Sequence, residues 1–398
     1  MNYVFLWNIE NQKLIPILGE SVLYYMLAAF RGIPAYKYVC TYDNAKDTEL
    51  EVDAKYLDLE GISQTLLDLV DASGYSVFIS KNMPLLEESV VCKIIQTHCK
   101  QNNKITIVKS KNKGDKIGSF ICIKNSYLKQ ILETNEFNLF DFLLNKIFKD
   151  KKKKTLYIKE TMDFQAIVDN QDLMYIKEIL RRRILQRHIQ NMVFIENENT
   201  ITIGPRVRIE RQAVIRQGSI ILGDSFIDRS VIVGPYSELV NVYMKEYSKI
   251  IHSVAYDSTI GVGASVGPFA HLRMHSIVGD EDRIGNFVEL KNTCLGRKTN
   301  VSHLTYLGDT VCGNGVNFGC GVVTVNYDGK LKHKTEIGNN VFIGCNSNLI
   351  APIQIADHCY IAAGSTITKN LKENDFAIAR ASQIIKEGYA LKYGYKKA

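Results

Sequence analysis

From residue 203 to residue 367 apolar and polar positions recur with a period of six. Aliphatic side chains fall at Ile203, Ile209, Ile215, Ile221, Ile227, Val233 and Leu239, and again at Val254, Ile260, Val266, Leu272, Val278, Ile284 and Leu290. The beat slips by one residue at Leu295 and runs on through Val301 and Leu307. After an interruption it returns at Ile337, Ile343, Leu349, Ile355, Ile361 and Ile367. An α-helix repeats near 3.6 residues and an isolated strand every two, so neither sustains this pattern. One short strand and one corner per hexad does, which predicts a parallel β-helix with the aliphatic residues on its axis. Each such side chain contributes about 1.5–3 kcal/mol when fully buried, before chain entropy is set against it. Glycine often follows the aliphatic residue, as in Ile284-Gly285, Leu307-Gly308 and Ile343-Gly344, and suits a tight corner.

The break between Phe318 and Ile337 predicts a loop on one face of the solenoid, the usual place for binding. It contains an Asp328-Gly329 turn flanked by Asn326, Tyr327, Lys330, Lys332 and Lys334, groups suited to a polar, anionic ligand.

Upstream of about residue 190 the pattern is different. Val4–Trp7, Ser76–Ser80 and Ile105–Val108 read as strands, with Ser21–Phe30 and Glu87–Cys99 as helices between them. That alternation predicts a layered α/β domain, Rossmann-like, with a largely parallel sheet. A further helix over Asp172–Gln190 carries Arg181, Arg182, Arg183 and Arg187 on a face expected to be solvated, as in a linker. The expected organisation is therefore an α/β domain over 1–170, a linker helix over 171–200, a β-helix over 201–380 and a basic tail over 381–398.

Composition narrows the functional classes. The net charge of +7 sits partly in local runs, Lys149–Lys154 and Lys396–Lys397, and no nucleic-acid module is visible. Nine scattered cysteines without a CxxC pair argue for reduced thiols in a cytoplasmic protein rather than a zinc site or a disulfide framework. The apolar stretch Tyr3–Trp7 is too short to span a membrane, and no span is expected.

Acyl transfer to the amine of a phosphorylated substrate needs a base, an oxyanion donor and cations for the phosphate. Arg273 and Lys291 are three hexads apart, the expected length of one coil, and so should stack on one face. Two stacked cations repel each other unless an anion lies between them. His303 is the candidate base because its ordinary pKa lies near neutrality. A lone His on a β-helix is usually a surface residue; His303 stands out because Glu289 could orient it and Tyr306 and Asn317 recur nearby. His252, His271, His275, His333 and His358 lack such company and are read as structural or solvated.

The segments IGNFVELK, SHLTYLGD, VTVNYDGK, FIGCNSNLIAP and IAAGSTIT resemble the acetyltransferase half of the bacterial bifunctional N-acetylglucosamine-1-phosphate uridyltransferase/glucosamine-1-phosphate acetyltransferase family. The resemblance runs from about Ala166 to Gly388, linker helix included. It implies a left-handed coil and a homotrimer with sites between subunits. It implies acetyl-CoA as cosubstrate and glucosamine-1-phosphate as acceptor, feeding UDP-N-acetylglucosamine and cell-wall precursor synthesis. By resemblance His303 is the base, and Arg273, Lys291, Tyr306, Asn317 and Lys332 bind the sugar phosphate. Cys320, Asn326, Tyr327, Cys345, Ala363 and Arg380 then contact acetyl-CoA, with the Cys320 N–H as oxyanion donor.

The first domain departs from that family. Lys13–Gly19 and Ser80–Leu85 resemble its nucleotidyltransferase scaffold, yet Trp7–Gln12 contains no glycine where a triphosphate loop needs close backbone approach. The metal-binding Asp stands as Asn82, a weak magnesium ligand, and the second ligand position holds Asp169. Uridyl transfer is expected to be lost, and magnesium is expected only if it persists. Three other readings remain: a different amino-sugar phosphate as acceptor, retained uridyl transfer, or a non-catalytic trimer that binds nucleotide sugars.

Overall fold

The computed structural model of the 398-residue chain describes residues 2–7, 16–41, 54–58, 62–80, 82–110, 119–134, 153–158 and 162–393. The glycine-free segment beyond Trp7 lies outside the described residues, as do most of the Lys149–Lys154 run and Lys396–Lys397. Contacts divide the chain into two units, Met1–Arg183 and Ile184–Ala398.

In the first unit the alternation of strands and helices forms as its pattern predicts. Strands β1 (Tyr3–Trp7), β2 (Tyr36–Thr41), β3 (Lys55–Asp58), β4 (Tyr75–Ser80), β5 (Ile105–Ser110), β6 (Ser119–Lys124) and β7 (Lys153–Ile158) make one sheet in the order β3-β2-β1-β4-β6-β5-β7. All pairings are parallel except those of β6 with β4 and β5. Helices α1 (Val22–Ala28), α2 (Ile62–Leu69), α3 (Glu88–Lys100) and α4 (Asn125–Thr134) alternate with the strands. Ser21 caps α1 by accepting from the Tyr24 N–H at 3.1 Å. The sheet is stitched by aromatic contact: the Phe5 ring lies 4.9 Å from Phe78 and 5.5 Å from Tyr38.

The Asp172–Gln190 helix is α5 (Asn170–Gln190), and its face is not the solvated one expected. Arg181 is buried and forks onto Glu178 at 2.8 and 2.9 Å. Arg183 donates to the Leu85 carbonyl at 2.8 Å and to Asp163 at 2.9 Å. Of the four arginines, only Arg182 and Arg187 remain exposed. A guanidinium on a surface helix is drawn down wherever carbonyls and carboxylates lack other partners.

The second unit is a parallel β-solenoid. Its strands stack into an 11-stranded and a 10-stranded sheet, with a third face of five plus three strands linked through bridges at Cys294. The aliphatic column is buried as expected from Ile203 to Ile367, with one correction. Val254 is half-buried, and Ala255 takes the axial position, paired with Leu239 and Leu272. The coil from Leu239 to Ala255 is shorter than the three-hexad coil from Ile203 to Ile221, which shifts the phase of the beat. Met244 and Ile250 fill the axis where the sixfold beat fades. Buried hydroxyls at the corners donate to backbone carbonyls three residues earlier, as Ser219 does to Arg216 and Ser225 to Leu222, both at 2.7 Å. This satisfies polar groups that would otherwise be costly inside. No described helix is long and apolar enough to cross a membrane.

Candidate functional site

Successive corners of the solenoid align the residues of the site. Asn286 and His303 are paired in the ladder, and the Val301–Phe318 register places Cys320 next. The Asn346 N–H donates to the Cys320 carbonyl at 2.7 Å and the Gly364 N–H to the Cys345 carbonyl at 2.8 Å, so Cys345 and Ala363 complete the column. Arg380 reaches the same edge through a hydrogen bond to the Ala363 carbonyl. Thus five of the positions expected to act together, His303, Cys320, Cys345, Ala363 and Arg380, line one edge. The coils approach too closely there for a side chain at Gly285, where a Cβ would lie 1.9 Å from the Ser302 carbonyl oxygen.

His303 is exposed, and its Nδ1 lies 2.6 Å from Asn286 Oδ1. An amide oxygen only accepts, so Nδ1 carries the proton and Nε2 presents a lone pair outward. Glu289 does not orient this ring. It faces His271 and Tyr306 in the ladder, and its carboxylate holds Arg273 at 2.6 and 2.8 Å. Asn286 escapes a reading in whole hexads because the coil between it and His303 falls one residue short of three hexads.

Next to this edge, Tyr236, His252, Phe269, Phe287 and Leu304 occupy consecutive corners with φ between 43° and 60°. Bulky residues rarely adopt that left-handed backbone, and the corner imposes it here. Phe269 and Phe287 stack at 5.5 Å and 9°, and both are exposed.

The cationic face forms by the expected stacking: Arg273 pairs with Lys291, and Lys291 with Gly308. Each cation also has its own carboxylate. Lys291 is buried, with Nζ 3.3 Å from Asp309 Oδ2. Asp309 further accepts from Asn292 at 2.7 Å and from the Asn326 amide. Burial works against its ionised form, but the bonds from Asn292, Asn326 and Lys291 together hold Asp309 below the ordinary carboxylate range. The Lys332 side chain lies against Lys291, and that neighbouring charge lowers its pKa from the ordinary lysine value. Gly308 leaves room for the Tyr306 hydroxyl and the Asn326 amide, which a Cβ there would meet at 2.5 and 2.7 Å. Asn317 faces Asn300 and Phe342 on the flat side of the His303 sheet, away from the cations' sheet.

The break in the repeat is a hairpin between Val325 and Thr335, with an antiparallel bridge from Tyr327 to Lys332. It brings Asn326 and Lys332 to the cationic face and leaves Tyr327 exposed.

In the first unit, Asn82 is held through its backbone and the Asp169 side chain is engaged elsewhere. The Asn82 carbonyl accepts from the Ile167 N–H at 2.9 Å. Asp169 Oδ1 accepts from the Asp172 N–H at 2.9 Å, while Asp172 Oδ2 accepts from Asp169 and Val168 N–H at 3.3 and 3.1 Å. This reciprocal box starts α5. No group of three His, Cys, Asp or Glu side chains that could hold a metal occurs among the described residues. An uncharged amide and a carboxylate committed to a helix cap do not fit a magnesium centre.

Residues 334–369 match the model of the bacterial transferase hexapeptide (six repeats) family. The chain is 48% identical over 242 residues to "Bifunctional protein GlmU" of Acholeplasma laidlawii, a match covering 61% of this chain and 53% of that protein. It is 35% identical over 365 residues to "Bifunctional protein GlmU" of Acetivibrio thermocellus, covering 82% of this chain and 79% of that protein. The chain belongs to the GlmU family. The GlmU of Trichormus variabilis gives a similar match, 34% over 368 residues and 84% of this chain. GlmU membership makes the chain a transferase with a hexapeptide acyltransferase domain, and the cationic face and the His303 edge both lie in that domain. The chain spans about half the length of the Acholeplasma GlmU that it matches.

Proposed function

We propose that the solenoid transfers acetyl from acetyl-CoA to the amine of glucosamine-1-phosphate, in the cytoplasm and within a homotrimer. The observation that carries this reading is the meeting of three cations, Arg273, Lys291 and Lys332, on the sheet beside the His303 corner. Lys332 beside Lys291 leaves two ammonium groups sharing the one carboxylate of Asp309, and a sugar phosphate would supply the missing negative charge. His303 Nε2 takes the proton from the amine as its nitrogen bonds to the thioester carbonyl carbon. The tetrahedral oxyanion receives the Cys320 N–H, then collapses with loss of the CoA thiolate, which recovers the proton. Tyr306 binds the sugar phosphate on the cationic face, Asn317 reaches it from a neighbouring subunit of the trimer because it lies on a different sheet from the cations of its own chain, and Asn326, Tyr327, Cys345, Ala363 and Arg380 hold acetyl-CoA. The product, N-acetylglucosamine-1-phosphate, is a precursor of UDP-N-acetylglucosamine and cell-wall material. The first unit no longer performs uridyl transfer.

The cationic face recognises a phosphate and says little about ring stereochemistry. Thiol release from acetyl-CoA should therefore be compared with glucosamine-1-phosphate, galactosamine-1-phosphate and glucosamine-6-phosphate as acceptors. Turnover is expected with the first, and its absence there sinks the reading. His303→Ala is expected to cut kcat by about 100-fold or more, the usual contribution of a general base.

A further inference from the structure

One hydrogen-bonded pair in the site has no role in the chemistry above. His333 Nε2 lies 2.7 Å from Asp328 Oδ2, across the hairpin that carries Tyr327 and Lys332. Asp328 is the centre of the hairpin tip: its Oδ1 accepts from the Lys330 and Leu331 N–H groups, both at 2.8 Å. His333 in turn secures the base, its backbone N–H donating to the Asn326 carbonyl at 2.7 Å. The Tyr327 hydroxyl closes onto the Gly329 carbonyl at 2.8 Å, so the tip is folded on itself rather than onto the solenoid. Tyr327 and Leu331 are exposed.

This internal closure matters because of what the hairpin carries. Lys332, next to His333, lies beside Lys291, and neighbouring ammonium groups repel, so this contact does not hold the hairpin to the coil. Asn326 bonds to Asp309 at the base, whereas the hydrogen bonds of the tip all run within the hairpin. The fold must therefore supply stiffness from within the hairpin. The bond between the Asp328 carboxylate and the His333 ring does this, because it joins the tip to the residue beside Lys332. His333 and the two N–H groups hold the Asp328 carboxyl well below its ordinary range.

We propose that His333 is a positioning residue for the acceptor: its clasp on Asp328 keeps the hairpin closed so that Lys332 waits at the phosphate position. This rests on the reading of Lys332 as a phosphate ligand. Opening the clasp makes acceptor binding also bear the cost of ordering the hairpin, which raises KM and leaves the chemistry at His303 unchanged. His333→Ala is expected to raise KM for glucosamine-1-phosphate about tenfold, the effect of one charge-assisted hydrogen bond, with kcat within about twofold. His333→Gln, which keeps a side-chain N–H donor, should recover most of that loss. Asp328→Ala, which removes the acceptor altogether, should raise KM at least as much as His333→Ala, and the double variant should be no worse than Asp328→Ala alone.

A second measurement is independent of turnover: the rate of trypsin cleavage after Lys330 in the full-length protein, expected to rise several-fold in His333→Ala. An active wild type whose KM is unmoved by His333→Ala overturns the proposal, as does a fall in kcat with KM unchanged. Wild-type protein that does not acetylate glucosamine-1-phosphate removes the acceptor reading and the KM claim with it. The clasp is then judged by trypsin alone, and equal cleavage of wild type and His333→Ala overturns it.

Discussion

The Asn286 amide is the smallest feature that decides how the site works. Its oxygen 2.6 Å from His303 Nδ1 selects the tautomer with a free Nε2, without adding charge. A carboxylate in that position would also accept from Nδ1 but would favour the imidazolium. Asn286→Asp is therefore expected to raise the His303 pKa, moving the acid limb of the kcat/KM profile upward by about one pH unit. Activity near the acid limb should fall while activity on the alkaline side is largely kept. An unshifted acid limb would mean that His303 is not the titrating base. Both residues are visible in the sequence, but their pairing is not. Glu289 lies nearer to His303 along the chain and is the partner the sequence suggests, and only the true coil length puts Asn286 there instead. With coils of unequal length in one solenoid, a single deletion at a corner changes which side chain faces the base.

At the scale of elements, the sixfold beat is enough to read the solenoid, because the aliphatic column is its core. It fails at Val254 for the same reason that Glu289 is misplaced by it: shortened corners shift the phase without leaving a mark in hydrophobicity. The cations are legible since Arg273 and Lys291 sit on a full three-hexad coil. Their partners are not, because Glu289 and Asp309 lie a coil along the chain from Arg273 and Lys291 and meet them only in three dimensions. The same holds for Asp169, whose place in a family motif suggests a metal but whose geometry makes it a cap. Asp169→Ala is expected to destabilise the start of α5 by about 1 kcal/mol, the usual value of an N-cap. Asp169→Ser should restore most of this, and thermal melts of the three proteins measure it. A Ser variant as unstable as the Ala variant would show that the carboxylate does something other than capping.

Across the whole molecule, the two units differ in how much of a reaction site they present. The solenoid has a histidine, His303, with a set tautomer, a cationic face and a built hairpin. The first unit has the sheet and its core, which depend on apolar pattern and not on any ligand residue. Hydrophobic packing tolerates change in a nucleotide loop, since such a loop lies outside the core. If Asn82 alone barred the unit from uridyl transfer, restoring the carboxylate would recover it. The sequence argues otherwise, because Trp7–Gln12 has no glycine and its Glu10 adds a negative charge to a segment that would have to meet a triphosphate. Asn82→Asp is therefore expected to leave magnesium-dependent pyrophosphate release from UTP at background, in the same preparation that acetylates glucosamine-1-phosphate. Release by the wild type would show that uridyl transfer has persisted. Release only by Asn82→Asp would show that one carboxylate was missing and that the loop is dispensable, because the two changes act on different parts of the reaction, metal binding and triphosphate approach.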